Sequence, residues 1–496
     1  MKRNFFFGFI LFVLSGISAV RGSSFEFNDR VQQAYLRIIR LKFDEGKILL
    51  DEERRLNPSN VLPELYYNYI DFLKTFISED VKEFEAFKKN LSERQRKLSD
   101  EDSPYNLYVR SEMMLQEAML RIKFREFITA AWEIRKSYKL IEKNANAFAA
   151  FPLNKKILGF LHVMVGAIPK NYRWMIDITG VSGTIPQGTE ELNSLLRETE
   201  TGPFKVYREE ILFYLANINN SFNPGEGNSS MLIGTIQPFC RHSELMRYCY
   251  INLLMKAGRN DEILQMFTDT FSTEGTYPFY FLSYKTGMAK FRKLDLTSEK
   301  DFENFIKHFK GINYLRSAYQ KIAWIYLLEG ETEKYAEAIS FSGKVGADFI
   351  DEDKDATKEA NDGIKPNLIL LRARLLFDGG YYTQSMAEIG GKGIENFPTY
   401  RDQLEVTYRL ARIYLKLKQT DKAIDYFEQT FKNGASSSFY FAANSALMLG
   451  NIYEERNDHE KSRSNYTRCL SLRKHEYQNS IDQKAEAGLE RLNVKK

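Results

Sequence analysis

The stretch Thr407–Tyr414 reads TYRLARIY, and Ala446–Tyr453 reads ALMLGNIY. Both end on tyrosine, both place Leu four residues before it, and both place a small residue three before it, Ala411 and Gly450. Behind each comes a second pair spaced by four, Ala423 with Phe427 and Ser462 with Tyr466. Steps of three and four put these residues on one helix face. Small residues let two antiparallel helices approach closely, and the rings of Tyr414, Phe427, Tyr453 and Tyr466 fill the space to the next pair. Two such units in register predict a repeating helical hairpin. The two tyrosines stand 39 positions apart, and the glycine- and serine-containing link Asn433 to Ser438 lies between the two units.

Two further units lie upstream. Tyr319, Ile322, Ala323 and Tyr326 lead to Gly330 at a turn and Ile339 beyond; Ala373 and Leu376 lead to Gly380, then Ser385 and Ile389. Their starts, near Arg316 and Pro366, are further apart than one unit, and the excess is the polar stretch Asp351 to Gly363. Helical periodicity continues to the N-terminus. A repeat is expected across Tyr35 to Leu56, ending at Asn57-Pro58, a charged arm between Asp80 and Asp102, and a second hairpin across Glu112 to Lys143. Residues 146–300 are richer in Gly and Pro and read as hairpins with long loops. The expected organisation is a targeting segment at 1–22, N-terminal hairpins at 23–145, an irregular helical middle at 146–300, and a C-terminal array at 301–496 closed by a charged helix from Glu476 to Leu492. The fold class is all-α, an α-solenoid.

Composition agrees with that class. The 496 residues are 43% hydrophobic and 14% aromatic, which excludes a disordered chain. Twelve prolines leave room for long helices. Lys2 and Arg3, the apolar run Phe5 to Val13, and Val20 and Gly22 before Ser23 form an export signal with a cut before Ser23; a retained anchor is the alternative. Removing residues 1–22 takes away three basic residues and lowers the net charge from +4 to about +1, a balance that argues against nucleic acid. The longest later apolar run, Ile157 to Ile168, is too short to span a bilayer and reads as a buried helix. Cys240, Cys249 and Cys469 cannot build a disulfide framework, although a Cys240–Cys249 pair stays open.

The residues from Tyr319 to Tyr466 resemble the tetratricopeptide repeat superfamily. The resemblance implies a superhelix of helix pairs whose concave face binds a peptide or another protein. Members that capture a C-terminal carboxylate use Lys and Asn one helical turn apart. Here the matching positions hold Tyr408 and Arg412, then Leu447 and Asn451, so that activity is not implied. Leu161 to Leu196, with Pro169 and Gly188-x3-Leu192, also resembles the intracellular inclusion-body clearance family; no function is carried over from it.

Candidate chemistry is sparse. Asp351, Asp353, Asp355, Thr357, Glu359 and Asp362 fit the liganding spacing of a calcium loop, but Ala356 stands where the turn wants Gly, Lys358 where an apolar residue packs, and Asp362 where Glu is usual. The competing reading is an acidic linker. The five histidines lack zinc spacing, and no phosphate-binding glycine loop or nucleophile elbow occurs. No cofactor or metal is expected, and no enzyme. The expected partner-binding residues are Arg374, Tyr408, Arg412, Lys416 and Asn451, with Trp324 beside them, on the inner helices of the array. The function expected is a scaffold or assembly factor of the periplasm or cell envelope that binds other proteins, with peripheral envelope contact and no transmembrane span after signal removal. Two rivals stand beside it: a carbohydrate-binding envelope protein using Tyr172, Trp174, Tyr277 and Tyr280, and an enzyme whose site lies in 146–300, marked by a deep pocket with paired carboxylates or a buried His.

Overall fold

The computed structural model describes residues 24–168, 174, 180–222, 226–268 and 274–494. The export signal, Pro169 and Tyr172 lie outside them. The described residues form 24 α-helices joined by tight turns and a few 3-10 segments, and no strand beyond one bridge between Ser24 and Asn60. In chain order they are α1 (Asp29–Ile39), α2 (Phe43–Leu56), α3 (Leu62–Ser78), α4 (Val81–Gln95), α5 (Pro104–Lys123), α6 (Phe127–Ala147), α7 (Asn154–Gly166) and α8 (Ile185–Glu198). Next come α9 (Arg208–Phe222), α10 (Glu226–Ile236), α11 (Glu244–Ala257), α12 (Asn260–Thr268), α13 (Phe281–Arg292), α14 (Glu299–His308), α15 (Leu315–Glu329) and α16 (Thr332–Ser342). The last are α17 (Asp351–Asp362), α18 (Leu368–Asp378), α19 (Tyr382–Ile389), α20 (Tyr400–Lys416), α21 (Thr420–Gly434), α22 (Phe441–Glu455), α23 (His459–Ser471) and α24 (Gln478–Val494). The chain is an all-α solenoid.

One turn recurs throughout. A residue of positive φ closes the first helix at Leu41, Arg125, Gly258, Leu294, Gly330, Gly380, Lys418 and Asn457. In each case the next N–H reaches back five residues to a helical carbonyl, as Lys42 does to Arg37 at 2.9 Å and Asp458 to Tyr453 at 2.9 Å. That bond satisfies a helix-end carbonyl and sets the angle at which the second helix returns. The last six turns are 36, 36, 50, 38 and 39 residues apart, so the repeat runs back into the middle region. The long step of 50 contains α17. The repeat expected across Tyr35 to Leu56 has such a turn inside it: Leu41, fully buried at φ +62°, separates α1 from α2.

Caps fix the other ends. Asn28 accepts from Val31 N–H, Ser103 from Asn106, Asn367 from Ile369 and Thr399 from Asp402. The hairpin expected across Glu112 to Lys143 is α5 with α6, and the charged arm after Asp80 is α4, which buries Phe84, Phe87 and Leu91. The apolar run from Ile157 lies in α7, and no described helix is long and apolar enough to cross a membrane. Gly159 of α7 and Gly188 of α8 lie against each other so closely that a Cβ on Gly188 would overlap the Gly159 carbonyl.

One hydrophobic core runs unbroken from Val31 to Ala289, across the division expected at 145–146. Smaller cores follow along the array, from Tyr284 to Leu375 and from Leu404 to Ile452. The two halves also meet. Glu79, at the α3–α4 turn, accepts from Asn313 Nδ2 at 2.7 Å, and the Arg125 guanidinium sits 3.8 Å from the centre of the Phe349 ring. These contacts lie beside a central lumen lined by residues of both halves.

Candidate functional site: arginines of the array and a central lumen

The acidic stretch Asp351 to Asp362 is neither a calcium loop nor a solvated linker. Without a glycine at Ala356 nothing favours the sharp loop turn, whereas acidic residues at the start suit a helix N-terminus. The stretch forms α17, ended by Gly363 at φ +64°. Asp353 is fully buried and accepts the N–H groups of Tyr314 at 2.6 Å and Ser317 at 2.9 Å, fixing the start of α15. Burial raises its carboxyl to about 6, against the pull of those two donors. Glu359 accepts from Trp324 Nε1 at 2.9 Å, Tyr335 at 3.0 Å and Gln320 at 2.7 Å. Lys358 pairs with Glu476, and Tyr477 donates to Asp355. The insertion thus ties α15 to the segment before α24, across the array. Among the described residues no group of three metal-binding side chains occurs.

The residues expected to bind a partner occupy different environments. Tyr408 is 1% exposed, packed among Phe427, Tyr440 and Phe441, and its hydroxyl accepts from Asn444. Asn451 accepts from Tyr466 at 2.7 Å. Those two serve the packing between helices. Arg374 and Arg412 are half-buried, Arg374 5.3 Å from the centre of the Trp324 ring and Arg412 4.2 Å from that of Phe377. Neither makes a hydrogen bond or ion pair among the described residues. Lys416 is exposed, one turn beyond Arg412. Positive charge is concentrated here: burial, then Arg374, pushes the Lys321 ammonium down to about 8. Burial opposes ionisation of Glu405, but Arg409 and then Arg374 outweigh it and keep its carboxyl below the usual range.

The lumen has a volume of 890 Å³. Its walls come from both halves, with Phe72 of α3, Ile122 of α5, Met164 of α7 and Phe213 of α9 facing Phe309 and Ile350 of the array. Its floor is the buried cluster that sequence reading missed. Lys156, 1% exposed, donates to Glu210 at 2.8 Å and to Tyr69 at 2.6 Å, and lies 3.1 Å from Glu112. Glu210 also accepts from Tyr35 at 2.6 Å and Tyr214 at 2.7 Å, and Glu112 accepts from Tyr69 at 2.6 Å. Burial pushes the Glu112 carboxyl up, with Lys156 pulling it back and Glu210 adding to the rise. For Glu210 the same burial is outweighed by Lys156, which holds it below the ordinary range. The three charged residues are 44 and 54 positions apart in sequence, and no local motif joins them.

The remaining candidates are dispersed. Tyr277 packs on Phe43, Tyr280 stacks on His308, and Trp174 is exposed. Cys240, Cys249 and Cys469 are free buried thiols, and burial pushes Cys240 and Cys469 up to about 12.

A solenoid of hairpins with this turn and this pattern of small and aromatic residues belongs to the helical-repeat class. Residues 402–475 match the model of the tetratricopeptide repeat. No curated protein matches it in sequence. Among solved structures, a monomeric IFIT1 mutant with Gppp-AAAA is 13% identical over 94% of this chain and 100% of its own, with a TM-score of 0.33. The APC/C hetero-tetramer Cut9-Hcn1 is 11% identical over 92% of this chain and 98% of its own, with a TM-score of 0.23. At such scores nothing of their ligands transfers.

Proposed function

We propose that the protein is an exported, non-catalytic scaffold of the periplasm or cell envelope that docks a carboxylate-bearing segment of a partner protein on its C-terminal array. The observation that carries this reading is the pair Arg374 and Arg412. Each guanidinium offers five N–H donors, is steadied by an aromatic ring, stays half-exposed, and has no carboxylate bonded to it among the described residues. The chain's own insertion supports the choice of chemistry. Asp355 of α17 lies in the field of Arg374 and Lys321, which oppose the effect of burial on its carboxyl.

Export is supported by the basic start and apolar run of residues 1–22 and by the attachment of the residues just after the expected cut. Ser24 N–H donates to the Ser59 carbonyl at 2.8 Å, and the Ser24 carbonyl accepts from Val61 at 2.9 Å, so a chain beginning at Ser23 keeps its N-terminal attachment. Paired carboxylates do lie beneath a cavity, the feature named above for an enzyme. Both oxygens of Glu210 are already bonded by Tyr35, Tyr214 and Lys156, however, and Glu112 does not line the cavity. An ion cluster that holds helices together accounts for them.

The test is photo-crosslinking from position 416, one turn beyond Arg412 and exposed, in the cell envelope, with and without charge reversal at Arg374 and Arg412. A partner crosslinked through an acidic segment, and lost in Arg374→Glu with Arg412→Glu, is the expected result. Crosslinking to no acidic segment, or capture unchanged by both reversals, would overturn the reading.

A further inference from the structure

We propose that the central lumen is a binding site for the hydrocarbon chain of an acyl lipid, independent of Arg374 and Arg412 on the C-terminal array. Its 890 Å³ falls within the range of about 300–1,000 Å³ typical of small-molecule sites. A space this large bounded by Phe, Leu, Ile, Val and Met is a poor host for water, which needs polar partners to remain there. The polar atoms of the floor are committed to one another. Tyr69, Tyr214 and Glu210 have their bonds made within the cluster around Lys156. An extended peptide or a sugar would therefore bury many polar groups without partners, which is costly. Hydrocarbon needs none. Phe222 and Trp174 line the lumen while being 38% and 43% exposed, so its wall reaches the surface there.

A second observation points to a ligand with a polar end. Glu79, Lys123 and Asn313 form one polar corner of the lining. Lys123 Nζ pairs with Glu79 at 2.8 Å, and Asn313 Nδ2 donates to Glu79 at 2.7 Å. Those bonds fix the amide's orientation and leave Asn313 Oδ1 buried without a partner among the described residues. A buried acceptor beside an apolar chamber calls for a donor, and a hydroxyl on the lipid headgroup supplies one. The assignment is a single-chain lipid, tail in the lumen and hydroxyl-bearing head at Asn313.

The probe is cis-parinaric acid, whose emission rises in an apolar site, titrated into the full mature chain. Saturable binding is expected, displaced by palmitic acid and, at lower concentration, by 1-palmitoylglycerol. Filling the lumen with Ile122→Trp and Met164→Trp is expected to weaken binding at least tenfold, while Arg374→Glu with Arg412→Glu leaves it unchanged. No saturable binding, or equal binding by a folded filled variant, would overturn the site. The free acid displacing better than the glycerol ester would overturn the head placement. Should the filled variant fail to fold, a diazirine-bearing palmitic acid on the wild-type chain decides. Labelling within 119–127, 160–164 or 213–222 supports the lumen, whereas labelling confined to other surfaces, or native mass spectrometry that finds an apolar peptide in its place, rejects it.

Discussion

Lys156, Glu112 and Glu210 set one ammonium against two carboxylates where water does not reach. With both acids ionised the cluster would be left with a net negative charge in a low dielectric. Raising Glu112 toward its neutral form removes that excess, the direction in which burial moves it. Lys156→Met strands the Glu210 carboxylate, and losing one partner of a buried pair costs about 3–5 kcal/mol. Glu112→Gln keeps the shape and removes a group already tending to neutrality, so it should cost less than about 1.5 kcal/mol. Urea midpoints at pH 7 check this order; equal losses would mean that Glu112 is held ionised. The pH dependence of the two acids has opposite signs. Glu210, depressed in the fold, contributes stability above the ordinary carboxylate range that disappears as pH falls through its lower folded value. Glu112, raised in the fold, costs stability as pH rises from the ordinary range through its higher folded value. Glu112→Gln should therefore remove the second contribution and leave the first. In sequence Lys156 is one half of Lys155-Lys156 at the start of a mostly apolar helix, and only the tertiary fold shows which of the two is buried.

At the scale of the element, the recurring turn explains both what the sequence disclosed and what it withheld. The C-terminal hairpins were legible because Ala411, Gly450, Tyr414 and Tyr453 repeat in register. The same turn at Leu41, Arg125 and Leu294 uses residues that do not advertise positive φ, so those turns carried no local mark and the hairpins around them showed only in apolar periodicity. The acidic stretch misled for a different reason: carboxylates spaced by two suit a metal loop and a helix start alike, and the packing of Asp353 beneath α15 decides between them. Among the residues expected to bind a partner, Arg374 and Arg412 lie half-buried beside the rings of Trp324 and Phe377, whereas Tyr408 packs among Phe427, Tyr440 and Phe441, an environment that helical spacing does not distinguish. A matched pair of substitutions isolates the turn's own cost. Gly330 and Gly380 have φ +85° and +87°. A Cβ at Gly330 meets nothing within 4 Å, whereas one at Gly380 would overlap the Gly258 carbonyl of a turn 122 residues away. Gly330→Ala should cost about 1 kcal/mol, and Gly380→Ala more than about 2 kcal/mol. Thermal melting of the two variants gives the comparison, and equal costs would mean that the turns at 258 and 380 are not in contact.

At the scale of the molecule, two kinds of stability coexist. From Val31 to Ala289 one core spans many hairpins, and its members are bound to each other across long sequence distances, as Tyr35 is to Glu210. From residue 400 onward each hairpin packs chiefly on its neighbours, with small separate cores, the arrangement in which a repeat array loses strict cooperativity. Unfolding in urea should accordingly proceed in more than one step, with the C-terminal repeats opening first. Phe427 is fully buried in the core around Leu404 and Tyr408, so Phe427→Ala should cost about 3–5 kcal/mol, all of it within that segment. Hydrogen exchange followed by mass spectrometry resolves the claim. Protection should fall across 400–494 in the variant and stay unchanged across 29–258. The lumen lies on the boundary between these regimes, since Phe309, Asn313 and Ile350 of the array complete a wall begun by α3, α5 and α7. If protection fell in both regions together, the contacts of Glu79 with Asn313 and Arg125 with Phe349 would be coupling them. Those contacts, and not the cores, would then set how the lumen opens.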